Sequence, residues 1–245
     1  MPDFPFPLMI FAAGFGTRMG ALTAERPKPL IPVAGKPLID HARDAAAAAG
    51  ARRIVVNTHY LADQMAAHLA GTGAVISHEA GEILETGGGL RAALPLLGSG
   101  PVAILNSDGI WTGANPLAQL AESDVAGEIA GAAAWDGERM ETLLLLLPVV
   151  QTLGHGTKGD FRLDEHGRLS RGTGGEDHVY IGASIISPER LVEIEAQAFS
   201  LNRVWDQMIA AGTAFGVLHQ GRWCDVGSPA GIFAAEGMLG AGSGG

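Results

Sequence analysis

The 245-residue chain is long enough to bury a sizeable core, and it carries 26 Asp and Glu against 16 Lys and Arg, a formal charge of −10. That balance excludes a nucleic-acid backbone or an anionic membrane surface as partner, since both are bound through accumulated basic residues, so any anion site must be built locally. One cysteine, Cys224, excludes an internal disulfide framework and a cysteine-rich zinc site, and no apolar run approaches the length that spans a bilayer. The expectation is one domain over residues 1–240 with a flexible glycine-rich tail at 241–245, acting in the cytoplasm.

Leu8 to Ala13 is a short uninterrupted apolar run bounded by turn residues, the pattern of a strand buried on both faces. Gly14 and Gly16 follow, where the backbone can turn tightly and present N–H groups to an anion. Arg18 and Lys28 add the full positive charges such a loop lacks. Pro27 and Pro29 stiffen the chain on either side of Lys28. The loop is neither a dinucleotide fingerprint, which needs a third glycine, nor a Walker A loop, which ends in G-K-[ST]. A helix is expected from Leu38 to a C-cap at Gly50, then a strand at Ile54–Asn57, a helix at 62–70 and a strand at 74–78. This alternation predicts a mostly parallel sheet. His59, at a strand's carboxyl end, reads as a substrate contact or as a cap of the helix that follows.

Residues 79–91 form a second glycine cluster, and a helix starting among poor helix formers implies that something approaches its backbone closely. Val102–Leu105 is a fourth strand, with Asp108 emerging beyond its carboxyl end, where open α/β sheets bind ligands. A hard cation such as Mg²⁺ takes oxygen ligands, typically one or two carboxylates plus substrate phosphates, which makes Asp108 a metal-ligand candidate and Asn106 a support through water. The segment from 112 to 180 is the least informative: a helix at Pro116–Glu122, a loop and buried strand around 135–150, and a small hairpin over 160–173. Residues 179–187 read as a strand interrupted by Gly182, where a ligand or another part of the chain comes close. Arg203–Ala211 is a helix and Phe215–His219 a strand. Asp225 follows, and Ser228-Pro229 has the form of a helix start.

Taken together, A-A-G-F-G-T-R-M, R-P-K-P-L-I-P-V-A-G-K-P-L-I, E-T-G-G, N-S-D-G and W-C-D-V-G-S resemble the signature of the sugar-phosphate nucleotidyltransferases, which join a nucleoside triphosphate to a sugar 1-phosphate. The pattern departs at Gly20-Ala21, where a basic residue and proline are usual, and at Ser107, where a glycine is usual. The resemblance implies an α/β, Rossmann-like nucleotidyltransferase fold, with a mostly parallel mixed sheet and helices on both faces. It implies nucleotide contacts from Ala12, Ala13, Gly14, Gly16 and Thr17 and, against the base, from Glu85, Thr86, Gly87 and Gly88, with Asn106 nearby. Arg18 and Lys28 become the catalytic cations, Asp108 and Asp225 the ligands of Mg²⁺, and Lys158 and Gly182 contacts to the sugar phosphate. Base, sugar and oligomeric state, monomer or homodimer, stay open, as does a catalytically silent nucleotide-sensing homologue.

Overall fold

A computed structural model describes residues 3–121, 134–172, 174 and 177–241. Glu122, expected at the end of a helix, and the tail at 242–245 lie outside them, while Ala241 closes the last helix. The apolar run forms β1 (Leu8–Phe11), and the glycine loop then passes through two short 3-10 turns, Thr17–Thr23 and Lys28–Leu30. A small hairpin of β2 (Pro32–Val33) and β3 (Lys36–Pro37) leads into α1 (Leu38–Ala49). Strand and helix then alternate as β4 (Ile54–Thr58), α2 (Ala62–Leu69), β5 (Val75–His78), α3 (Glu85–Leu97) and β6 (Val102–Asn106). After β7 (Gly109–Gly113) and α4 (Pro116–Ala121) come β8 (Thr142–Pro148), β9 (Thr152–Leu153), β10 (Phe161–Leu163), β11 (Leu169–Arg171) and β12 (His178–Ile186). The chain ends through α5 (Glu189–Val192), α6 (Leu201–Ala211), β13 (Ala214–Leu218), β14 (Gly221–Asp225) and α7 (Pro229–Ala241).

Nine strands form the main sheet, with β6, β1, β4 and β5 adjacent and parallel. Beyond β6 the sheet turns antiparallel through β12, which pairs β6 on one side and β8 on the other, and β13 joins β8 in parallel. Successive strand residues point to opposite faces. Leu8, Ile10, Val56 and Leu105 therefore pack with Ile39, Ala42 and Leu117 of α1 and α4 in one core, whereas Met9, Val55 and Ile104 pack with Leu90, Ala93 and Met208 of α3 and α6 in another. Burial on both faces is why these strands are continuous apolar runs and do not alternate. A third cluster, with Met19, Val33, Ile110, Cys224 and Met238, joins α7 to a separate three-stranded sheet of β7, β14 and β9.

No sequence pattern announces that smaller sheet. In it β7 and β14 run antiparallel with Gly109 opposite Asp225. The Val226 N–H also donates to the Asp108 carbonyl at 2.9 Å. Two aspartates far apart in the numbering are thereby carried on adjacent backbones.

At Gly182 another part of the chain comes close. It sits at the register shift of β12, between Tyr180 and Ser184, with φ 80°. A Cβ there would lie 2.9 Å from Asn106 Cβ, so the Asn106 side chain is what fills that side. Gly182→Ala should cost about 1–3 kcal/mol through combined backbone strain and overlap. A urea midpoint lowered at constant m would bear this out; an unchanged midpoint would contradict it.

Candidate active site

The carboxyl ends of β1, β4, β5 and β6 open onto one cleft of about 310 Å³. Ala12, Ala13, Gly14, Gly16, Thr17, Arg18, Lys28, Glu85, Thr86, Asn106 and Asp108 all line it. The glycine loop does two different jobs there. Gly16 is required by the chain itself: φ is 66°, and a Cβ would lie 2.7 Å from Lys28 Cβ. Gly14 has open space where its Cβ would stand, so its missing side chain leaves room for an incoming group.

Four charges form two pairs beside the cleft, which Arg18, Lys28 and Asp108 line and Asp225 does not. Lys28 Nζ donates to Asp108 Oδ2 at 2.7 Å, with the lysine side chain only 12% exposed. Arg18 Nη1 stands 3.7 Å from Asp225 Oδ2, and its guanidinium lies over Gly227, where a Cβ would come within 2.7 Å of it. Burial, and then the charge of Asp108, push the Asp225 carboxyl above the usual carboxylate range, against the pull of Lys28, Arg18 and His155. Cys224, just before it, is fully buried, and burial pushes its thiol up to about 11, so it supplies no nucleophile.

Not every expected residue reaches the cleft. Gly87 and Gly88 do not line it: both N–H groups donate to the Phe199 carbonyl, at 2.8 and 3.1 Å. A Cβ on Gly87 would lie 2.3 Å from the Phe199 ring, and one on Gly88 would lie 2.5 Å from the Gln197 carbonyl oxygen. These glycines admit the chain before α6, so the close approach anticipated at the helix start comes from within the protein. Lys158 is exposed on the loop after β9 and stays out of the cleft. His59 neither lines the cleft nor caps α2, whose N-terminal residue Leu61 has no side-chain cap; its Nδ1 lies 2.9 Å from the Glu79 carbonyl oxygen and its ring meets Phe15 edge-on.

Sequence reasoning misses other residues. Asn57 and Glu79 line the cleft from the ends of β4 and β5. Polar residues ending apolar strands are the available signal. His155 stands beside Trp223, with ring centroids 5.9 Å apart, and its charge is felt at Asp225. It is brought there by the pairing of β9 with β14, which no local pattern announces.

A doubly wound sheet with a glycine loop, two cations and two carboxylates at its carboxyl edge belongs to a sugar-phosphate nucleotidyltransferase, and similarity to known proteins agrees. N-acetylmuramate alpha-1-phosphate uridylyltransferase of Caulobacter vibrioides is 42% identical over 248 residues, covering 98% of this chain and 99% of that protein. The protein of the same name from Neisseria meningitidis serogroup B is 32% identical over 240 residues, covering 95% and 98%. Among solved structures, the inositol-1-phosphate CTP transferase from T. maritima superposes with a TM-score of 0.76 at 14% identity, covering 99% of each chain, a likeness of fold. The MobA-like NTP transferase domain matches residues 8–167, and the chain belongs to that family. Among the described residues no helix is long and apolar enough to cross a membrane.

The raised carboxyl of Asp225 has a sign that can be tested. An acid whose folded-state pKa is raised costs stability as pH climbs from its unfolded value through the raised one, and the cost is complete above it. Asp225→Asn should therefore melt higher than the unaltered chain at neutral pH, by roughly 2–4 °C for each kcal/mol relieved. The difference should vanish below the ordinary aspartate range. A lower melting temperature at neutral pH would contradict the assignment.

Proposed function

We propose that the chain transfers UMP from UTP to N-acetylmuramate alpha-1-phosphate, releasing pyrophosphate and giving the nucleotide sugar. The end-to-end likeness to the Caulobacter protein of that name carries this choice of base and sugar. Such a reaction serves the recycling of cell-wall sugar and belongs in the cytoplasm.

The chemistry asks for no protein nucleophile. A phosphate monoester has a second pKa of about 6 and is largely dianionic at neutral pH, so one of its oxygens can attack the α-phosphorus directly. The new O–P bond forms as the bond to the β-phosphate breaks, and pyrophosphate leaves with the electron pair. What the protein must do is hold two polyanions together in line, which is positioning plus electrostatic stabilisation. Ala12, Ala13, Gly14, Gly16 and Thr17 wrap the nucleotide phosphates, and Glu85, Thr86 and Asn106 face the rest of the nucleotide. Arg18 turns from Asp225 to the departing phosphates, and Lys28 turns from Asp108 to the reacting centre.

Asp108 and Asp225 suit a hard divalent cation. Their carboxylates are close enough for one charge to raise the other's pKa, a repulsion that a shared cation relieves. Among the described residues no third His, Cys, Asp or Glu joins them, which leaves the remaining coordination to phosphate oxygens and water. A Mg²⁺ ion held by Asp108 and Asp225 would supply positive charge to offset the negative charge of the reacting phosphates.

Pyrophosphate release from a panel of nucleoside triphosphates and sugar 1-phosphates tests the reading. Turnover with UTP and the muramate sugar alone is expected. Turnover with GTP and mannose 1-phosphate would reassign the substrates, and silence from a folded, nucleotide-binding sample would make the chain a sensor. Asp108→Ala and Asp225→Ala should each lower kcat by about 10²–10³-fold or more with the fold intact. Lys28→Ala should lower kcat more than it raises the nucleotide KM, because its contact tightens as charge develops. Full activity in both aspartate variants would remove the carboxylate pair from the mechanism.

A further inference from the structure

The wall of the cleft holds a buried polar chain that the transfer reaction does not itself require. Asn57 and Glu79 are each 3% exposed. Asn57 Oδ1 accepts the Ala12 N–H at 2.7 Å, and Asn57 Nδ2 donates to Glu79 Oε1 at 2.7 Å. Glu79 Oε2 accepts the Leu84 N–H at 2.9 Å. Two side chains thus connect the start of the glycine loop to the turn that delivers Glu85 and Thr86. The last glycine of the second cluster is given over to them: a Cβ on Gly89 would lie 2.6 Å from Glu79 Oε1 and 3.1 Å from Asn57 Nδ2.

A carboxylate buried beside a site for polyanions is electrostatically costly, and no lysine or arginine among the described residues pairs with Glu79. Its value lies in direction. A carboxylate only accepts, so it forces the Asn57 amide to present its N–H₂ to Glu79 and its oxygen to Ala12. The far end of the chain holds Leu84 immediately before Glu85, whose φ is 58°, a backbone state that disfavours residues with a Cβ. Released from Glu79, the turn would still be held from the α6 side by Phe199 and Leu201 but would no longer be tied to the glycine loop across the cleft.

We infer that Asn57 and Glu79 are positioning residues for nucleotide binding, a strut of fixed hydrogen-bond polarity that sets the distance between the two walls of the cleft. The inference rests on the nucleotide occupying that cleft, as proposed above. Either single change breaks the strut. Glu79→Gln sets an amide N–H₂ against the N–H₂ of Asn57 or gives up Leu84, and Asn57→Asp places two carboxylates face to face. Making both changes restores every bond, with only the polarity of the bond between positions 57 and 79 reversed. The carboxylate introduced at position 57 would then accept from the Ala12 N–H and from the amide introduced at position 79. The oxygen of that amide would accept from Leu84, and the total charge would be unchanged.

The test measures nucleotide dissociation constants and both KM values for Glu79→Gln, Asn57→Asp and the double variant. Each single variant should weaken nucleotide binding by about tenfold or more while the sugar-phosphate KM moves less than about twofold. The double variant should return to within about threefold of the unaltered chain. A residue that merely supports the fold would not give this split or this rescue. Single variants that bind normally, or a double variant no better than the weaker single, overturn the inference. Should a single variant fail to fold, the double variant decides alone: it must fold and bind within the same limit. Absence of nucleotide binding by the unaltered chain would remove the reading of the cleft, and the strut with it.

Discussion

Two like charges forced together are the constraint on which the site depends. Asp108 and Asp225 repel, and neither would choose the other's company in a flexible chain. They are held by the ladder between β7 and β14, which places Gly109 opposite Asp225 and ties Val226 to the Asp108 carbonyl. Lys28 and Arg18 then answer one carboxylate each. The pairing sets two cations against two carboxylates and keeps both cations beside the cleft, within a chain of formal charge −10.

That arrangement is only as rigid as what carries it. Lys28 approaches over Gly16, and Arg18 is seated on Gly227, so each cation rests on a glycine that leaves room for it. Behind them the main sheet is packed on both faces, with Met9 and Ile10 of β1 committed to opposite cores. The loop that follows β1 therefore starts from a fixed point. Close packing of this kind transmits small displacements, so sites built on strand ends inherit the precision of the core.

Much of this is legible in the sequence because it is local. The run Leu8–Ala13, the helix ending at Gly50 and the strands at Ile54 and Val102 each announce themselves by composition and by caps. Lys28 between two prolines and Asp108 beyond a strand can be read as chemistry directly. The small sheet of β7, β14 and β9 is not legible, since β9 has only two residues, the other two strands start at glycines, and their pairing joins distant segments. Gly87, Gly88 and Gly182 each mark a close approach, and Phe199, Gln197 and Asn106 are what approach them on the side a Cβ would take. A glycine in a sequence says that something comes close. It does not say what. Asn57 and Glu79 escape notice for the same reason, as their meaning lies in a contact across 22 positions.

The glycines at 87 and 88 carry a consequence for how this cleft could change. Because the start of α3 is built around the backbone of Gln197–Phe199, and because Thr86 Oγ1 accepts the Leu201 N–H at 2.9 Å, the turn at 84–88 and the entry to α6 are two halves of one joint. Neither can be exchanged as a module. A graft of the 79–91 segment from a relative with a different base preference would arrive without its counterpart at 197–201 and would have to rebuild that joint before it could present new contacts. The two segments, more than a hundred residues apart in the chain, can therefore change only together.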